Sequence, residues 1–523
     1  MGFENLSVAQ IRAGLTAREF SARDIAQASF DAIASRDPEV HAFLEQTPQL
    51  AFAAADAVDA ACAAGEPLGA LAGVPIAFKD NMNLQGTHTT CSSRMLQNYV
   101  SPYTATCVDR ALRAGALPLG KTNLDEFAFG SSTETSAFGC THNPWDLARV
   151  PGGSSGGSVA AVAAGMATVA LGSDTGGSIR QPASFCGVVG MKPSYGVVSR
   201  FGVVAFGSSL DQVGPVGKTV ADVAATLDAI AGRDERDCTS QPLLAGADGR
   251  PVSFSAGLDR GIRGMRIGVV PAFVGYKGVE PEVIVALEDA LAHLEGLGAE
   301  LVEIELPHVD AALAAYYVIG PCEAFSNMSC FDSVRYGYRF EGARDIGEQY
   351  ERSRAEGFGM EVARRIMLGS YLLSSGVYDT YYLPAQQVRT LIIDDYARAF
   401  EKVDALVTLV SPRAAFKLGE IGDPTAMHLS DMFTVSANIA GNGALSLPVG
   451  LGASSGLPVG VQVIGPQFGD AVVLRVAAAL EGCYGFERLA PMGREAAPMG
   501  REAWESGDGA GDLFLSSPEG GER

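Results

Sequence analysis

Pro151-Gly152-Gly153-Ser154-Ser155-Gly156-Gly157-Ser158 and, after an apolar interval, Gly172-Ser173-Asp174-Thr175-Gly176-Gly177-Ser178-Ile179-Arg180 form two glycine–serine clusters. Between them Ser155–Ala164 is rich in small residues and reads as a buried helix, and Met166–Leu171 as the strand that delivers the second cluster. Upstream, Gly73-Val74-Pro75-Ile76-Ala77-Phe78 ends in Lys79-Asp80-Asn81, so Val74–Phe78 reads as a short buried strand with a lysine at its end. Working outward, residues 7–35 carry apolar positions at helical spacing, with Ser7 and Ser21 as N-caps. Helices are expected at Thr104–Ala114, Val220–Ala231, Pro281–Leu297 and Ala471–Leu480, with a long helical region over about 309–402. Strands are expected at Ala116–Leu119, Met265–Val270, Glu300–Ile304, Ala405–Val410 and Val459–Ile464. This alternation predicts an α/β fold whose mixed, largely parallel central sheet is covered by helices on both faces.

Composition sets outer bounds. The chain has 523 residues, 47% hydrophobic and 19% charged, as a large globular core requires. No linker divides the first 480 or so residues. No apolar run is long enough to span a bilayer, and Met1-Gly2-Phe3-Glu4-Asn5 lacks the basic and apolar regions of a signal peptide, so no membrane role is expected. Nine cysteines without a CxxC pair argue for reduced thiols in a cytoplasmic protein. The net charge of −22 repels phosphate backbones, so little direct nucleic-acid contact is expected. Ala490-Pro-Met-Gly-Arg-Glu-Ala496 recurs as Ala497-Pro-Met-Gly-Arg-Glu-Ala503, and 490–523 reads as a disordered appendage.

The chemistry sits in three residues. In Thr175-Gly176-Gly177-Ser178 the glycines let successive N–H groups converge where an oxyanion would develop. Gly152-Gly153-Ser154-Ser155-Gly156 also fits the G-x-S-x-G elbow, which would make Ser154 the nucleophile. That arrangement needs a downstream histidine, and His293, His308 and His428 each read as surface or packing residues. No Gly-Lys-Ser/Thr follows the turn, so it is no phosphate loop. A lysine at a strand end ordinarily points to water, but a dry one loses its proton and can act as a base. Singly each signal is ordinary; together they suggest a nucleophile, a relay and a base.

Lys79, Ser154 and Ser178 in this order, with Gly-Gly-Ser-Ile-Arg around Ser178, resemble the amidase signature family. The resemblance implies a Ser–cis-Ser–Lys triad: Ser178 as nucleophile, Ser154 as the bridging serine on a cis peptide, Lys79 as base, and Thr175, Gly176 and Gly177 as oxyanion donors. Leu124-Asp125-Glu126-Phe127, Gly130-Ser131-Ser132-Thr133-Glu134-Thr135-Ser136, Ser353–Gly359, Arg364-Arg365-Ile366, Ser374–Asp379 and Val388–Ile392 are similar to one branch, the A subunits of aspartyl/glutamyl-tRNA amidotransferases. That likeness covers the chain to about residue 485, as one amidase domain with a substrate-pocket region at about 309–440.

In that branch the enzyme hydrolyses glutamine. The likeness maps the residues holding the glutamine carboxylate and ammonium to Arg364 and Asp431, with Gly130 and Tyr317, of the Tyr316-Tyr317 pair, lining the pocket. It further implies a heterotrimer with B and C subunits, misacylated tRNA held mainly by the B subunit, no cofactor on this chain, and ATP and Mg²⁺ used by the partner. Leu409-Val410-Ser411-Pro412-Arg413-Ala414-Ala415 and Gly441-Asn442-Gly443 depart from the family pattern and are expected near the pocket wall. A free-standing amidase with another amide substrate, or a non-catalytic binding protein, are the alternatives.

Overall fold

A computed structural model describes residues 2–242, 253–276, 278–486 and 489–492; the repeated tail from residue 493 on lies outside the described residues. Eleven strands make one sheet: β1 (Phe43–Gln46), β2 (Pro75–Lys79), β3 (Leu117–Thr122), β4 (Val169–Asp174), β5 (Val189–Lys192), β6 (Gln212–Gly217), β7 (Arg266–Val269), β8 (Glu300–Glu303), β9 (Ala405–Leu409), β10 (Ala444–Leu451) and β11 (Pro458–Ile464). Their spatial order is β1-β3-β2-β4-β6-β5-β10-β11-β9-β7-β8.

The sheet is mixed, as expected, but not largely parallel. β2 runs parallel to β3 and β4, and β7 parallel to β8 and β9, whereas the other six of the ten ladders are antiparallel. Five of these six ladders involve a strand the sequence pattern does not reveal, β1, β5, β6 or β10, and the sixth, β9–β11, pairs two expected strands in opposite directions. The β10–β11 connection, residues 452–457, is too short for the crossover that a parallel pair requires.

Side chains alternate between two buried layers. Ile76 and Phe78 of β2 and Val169 and Leu171 of β4 face one apolar cluster. Ala77 and Ala170 face the other, where they meet Val159–Ala164, Ile179 and Ala183. Both faces are therefore covered, and every residue of β2, β3, β4 and β6 is buried. The helices Val8–Ala17 and Ala22–Val40 begin at Ser7 and Ser21, each in a reciprocal capping box, with Gln10 and Asp24 as partners. The 309–402 region divides into the helices Ala312–Met328, Ile346–Gly357, Met360–Leu372 and Tyr378–Phe400. All nine cysteines are free thiols.

Candidate active site

The parallel trio β3-β2-β4 brings two strand ends together. Lys79 is the last residue of β2 and Asp174 the last of β4. The helix Gly156–Ala163 packs on β2 and β4, so Ser154 and Ser155, immediately before it, meet the same strand ends. The Gly153–Ser154 peptide bond is cis.

Lys79 is 0% exposed. Its Nζ lies 2.8 Å from Ser154 Oγ, 2.9 Å from Ser155 Oγ, 2.9 Å from Ser173 Oγ and 3.3 Å from the Ser173 carbonyl. Among the described residues no carboxylate pairs with it. Burial pushes its pKa down to about 7, and the more distant Asp125, Asp174 and Asp211 only partly counter this. Ser155 occupies a helix N-cap position without capping; its hydroxyl turns to the Ser173 carbonyl at 3.0 Å.

The 174–180 turn folds around one carboxylate. Asp174 accepts from the amides of Gly177 (2.9 Å) and Ile179 (3.1 Å) and from Arg180 Nε and Nη2. Burial alone would raise its pKa; the Arg180 charge and hydrogen bonds override that and hold it well below the usual carboxylate range. The Gly177 amide, expected to face an oxyanion, is thus occupied by Asp174. The amides of Thr175, Gly176 and Ser178 have no acceptor among the described residues. Gly177 sits at φ +137°, and a Cβ there would come within 2.2 Å of Thr434 Oγ1. A Cβ on Gly176 would meet the Tyr316 ring at 2.7 Å, so only glycine admits this roof. Ser178 is 8% exposed, and its hydroxyl makes no hydrogen bond among the described residues.

Beside this centre Gly130, Ser131, Tyr317, Glu361, Arg365 and His428 line a cavity. Asp431 is buried behind it and accepts from Ser131 Oγ at 2.6 Å and from the Tyr317 hydroxyl at 3.4 Å. Burial pushes Asp431 up to about 7, against the Ser131 bond and the Arg365 charge. The cavity's arginine is Arg365, not Arg364. Successive helical residues point about 100° apart; the Arg364 side chain is 37% exposed, against 5% for Arg365. Arg364 bonds Glu361 and His428. Arg365 Nε donates to Glu361 at 2.7 Å, its guanidinium stacks among Phe129, Phe206 and Tyr317, and its Nη groups have no acceptor among the described residues.

His428 is a packing residue, as expected, and it packs at the cavity: its ring stacks on Tyr317 at 3.5 Å, and burial with the Arg365 and Arg364 charges pushes its pKa down to about 4. Other placements differ from expectation. Arg413, Ala414 and Ala415 line a separate charged cleft with Arg149, Glu280 and Lys417. The Gly441 and Asn442 carbonyls bind the Tyr195 amide and Lys192, again away from the pocket wall. Ser131, Ser155, Ser173 and Asn81 stand inside the quoted motifs but carry no signal separating them from turn residues.

A family model described as Amidase matches residues 24–474. The A subunit of glutamyl-tRNA(Gln) amidotransferase from Carboxydothermus hydrogenoformans is 52% identical over 487 residues, covering 93% of this chain and 99% of that protein. The protein of the same name from Moorella thermoacetica is 55% identical over 479 residues, covering 91% and 96%. The crystal structure of the glutamyl-tRNA(Gln) amidotransferase A subunit from Thermotoga maritima superposes with a TM-score of 0.76 at 43% identity, covering 94% of this chain and 98% of that one. Native peptide amidase from Stenotrophomonas maltophilia gives 0.78 at 32% identity, covering 94% and 99%.

Proposed function

The chain belongs to the amidase family, in the branch of glutamyl-tRNA(Gln) amidotransferase A subunits, and from that premise we propose that it is the glutamine-hydrolysing component of a tRNA-dependent amidotransferase. The observation that carries this reading is the dry Lys79 amine, 2.8 Å from Ser154 Oγ, with the Ser178 carbonyl accepting from the Ser155 amide at 3.0 Å and so tying the Ser178 turn to the same serine pair. Residues 1–485 are read as one catalytic domain.

Neutral Lys79 takes the proton of Ser154 as Ser154 takes that of Ser178. Ser178 Oγ attacks the glutamine side-chain carbonyl, and the amides of Thr175, Gly176 and Ser178 receive the oxyanion. The proton returns through Ser154 to the leaving nitrogen, the C–N bond breaks, and ammonia departs. Water then attacks the glutamyl ester by the same relay and restores Ser178. The free Nη groups of Arg365 suit the substrate's α-carboxylate, and the Asp431 carboxylate suits its ammonium. Gly130 and Tyr317 frame the side chain, and Tyr316 roofs Gly176.

The ammonia is consumed where a tRNA-linked Glu or Asp carboxylate is activated with ATP and Mg²⁺ on a partner protein. The chain itself needs no cofactor for hydrolysis. Its setting is a cytoplasmic complex with B and C subunits, in which the B subunit holds most of the tRNA. Among the described residues no helix is long and apolar enough to cross a membrane. The test is ammonia release from L-glutamine by the complex. Ser178→Ala should abolish it, whereas near-normal release from that variant would overturn the assignment.

A further inference from the structure

We propose that Asn81 is a positioning residue whose side-chain amide, acting through Ser173, decides which hydroxyl receives the lone pair of Lys79. The inference rests on the reading of Lys79 as the base. It starts from hydrogen counting. A neutral amine has two N–H groups and one lone pair, and Lys79 Nζ has four oxygen neighbours. The Ser173 carbonyl can only accept. The Ser155 hydroxyl gives its proton to that carbonyl at 3.0 Å, so it accepts from Lys79. Ser154 and Ser173 then compete for the lone pair.

Besides Lys79, the Ser173 hydroxyl has one partner among the described residues, the Asn81 amide. In the structure Asn81 Nδ2 donates to Ser173 Oγ at 3.0 Å, and Asn81 Oδ1 is buried with no partner. With Asn81 donating, the Ser173 proton has, among the described residues, only the Lys79 lone pair to go to, and Lys79 then donates to Ser154. That state cannot take a proton from Ser154. With the amide turned end for end, its carbonyl takes the Ser173 proton, Ser173 accepts from Lys79, and the lone pair falls to Ser154. The same orientation serves after proton transfer. An ammonium donates to Ser173 as well, and the Ser173 proton then needs an acceptor, which only the Asn81 carbonyl supplies among the described residues. Asn81 and Ser173 border a cavity of ≈220 Å³ with Thr175, Asp211 and Gln212, so the amide has open space on one side. Turning it gives the buried oxygen the Ser173 proton and moves the NH2 group to the place the oxygen held.

The experiment measures ammonia release from L-glutamine by the chain in complex with the proteins that co-purify with it. Asn81→Leu leaves the Ser173 proton no acceptor but Lys79 among the described residues, and kcat should fall by at least about tenfold with KM within about twofold of wild type. Adding Ser173→Ala removes the competing hydroxyl and should restore kcat by about tenfold over the single variant. A double variant no faster than Asn81→Leu overturns the proposal, because a purely structural loss is not rescued by a second deletion. Should Asn81→Leu fail to fold, Asn81→Asp keeps an acceptor towards Ser173. It should retain kcat at high pH with its profile moved to higher pH, because a carboxylate favours the ammonium; lost kcat with an unmoved profile also overturns it. Lys79→Ala run alongside separates the two levels. Activity in that variant defeats the base assignment itself, whereas an inactive Lys79→Ala with no rescue defeats only the role of Asn81.

Discussion

Two residues set the pH behaviour. Lys79 must be neutral to act as base, and burial brings its pKa to about 7. Asp431 must be ionised to hold an ammonium, and burial brings its pKa to about 7 too. Both requirements fail as pH falls. The kcat/KM for glutamine should therefore rise with pH through about 7 and then level, steeper than a single ionisation on the acid side, while kcat reports Lys79 alone. A flat profile from mildly acidic to alkaline pH contradicts this. Lys79→Arg should be inactive, since a guanidinium keeps its proton. Arg365→Lys should raise KM by about tenfold or more, because an ammonium cannot hold a carboxylate bidentately, while Arg364→Lys should stay within about threefold. That Lys79, Ser154 and the Ser178 turn converge is legible in sequence, because each stands in a motif where its spacing is meaningful. Sequence points to Arg364 in place of Arg365 because two adjacent arginines on a helix differ only in azimuth, which the burial of their neighbours decides.

At the scale of elements, the turn after β4 is the working part. Asp174 gathers two turn amides and Arg180, and the glycines beneath Tyr316 and Thr434 leave no space for a side chain. Gly177→Ala should reduce kcat by at least about a hundredfold and lower Tm, because a Cβ both meets Thr434 and disfavours φ +137°. The check is turnover and thermal unfolding side by side; unchanged turnover would show that the turn tolerates rearrangement. The helix that follows the first serine cluster and the strand that delivers the second are legible because their apolar runs are uninterrupted. β5 and β6 are not, since short fully buried strands lack the alternation that marks a half-exposed one, and β10 is buried over its first six residues and shows none either. The Gly177 amide escapes a sequence reading for a related reason: a glycine-rich turn shows that donors converge, not which acceptor already holds one.

At the scale of the whole molecule, Arg180 joins early and late sequence. It is fully buried and bonds Asp174, the Thr434 carbonyl, Asn438 and Gln462. Removing it strands a carboxylate in the core. Arg180→Met should destabilise the fold by about 3–5 kcal/mol, seen as an earlier unfolding transition in denaturant, with a loss below about 1 kcal/mol refuting the role.

The strand order carries a consequence in time. β10 and β11 lie between β5 and β9, so among the described residues the strands β7, β8 and β9 join the rest of the sheet through residues 444–464. Tyr316 and Thr434, which close over the nucleophile's turn, also come late. During synthesis Lys79 is followed early by its partners Ser154, Ser155 and Ser173, whereas the Ser178 turn waits for Tyr316 and Thr434. A chain that stops before Thr434 carries the nucleophile without the cover of its turn, and glutamine hydrolysis by such a chain should be lost.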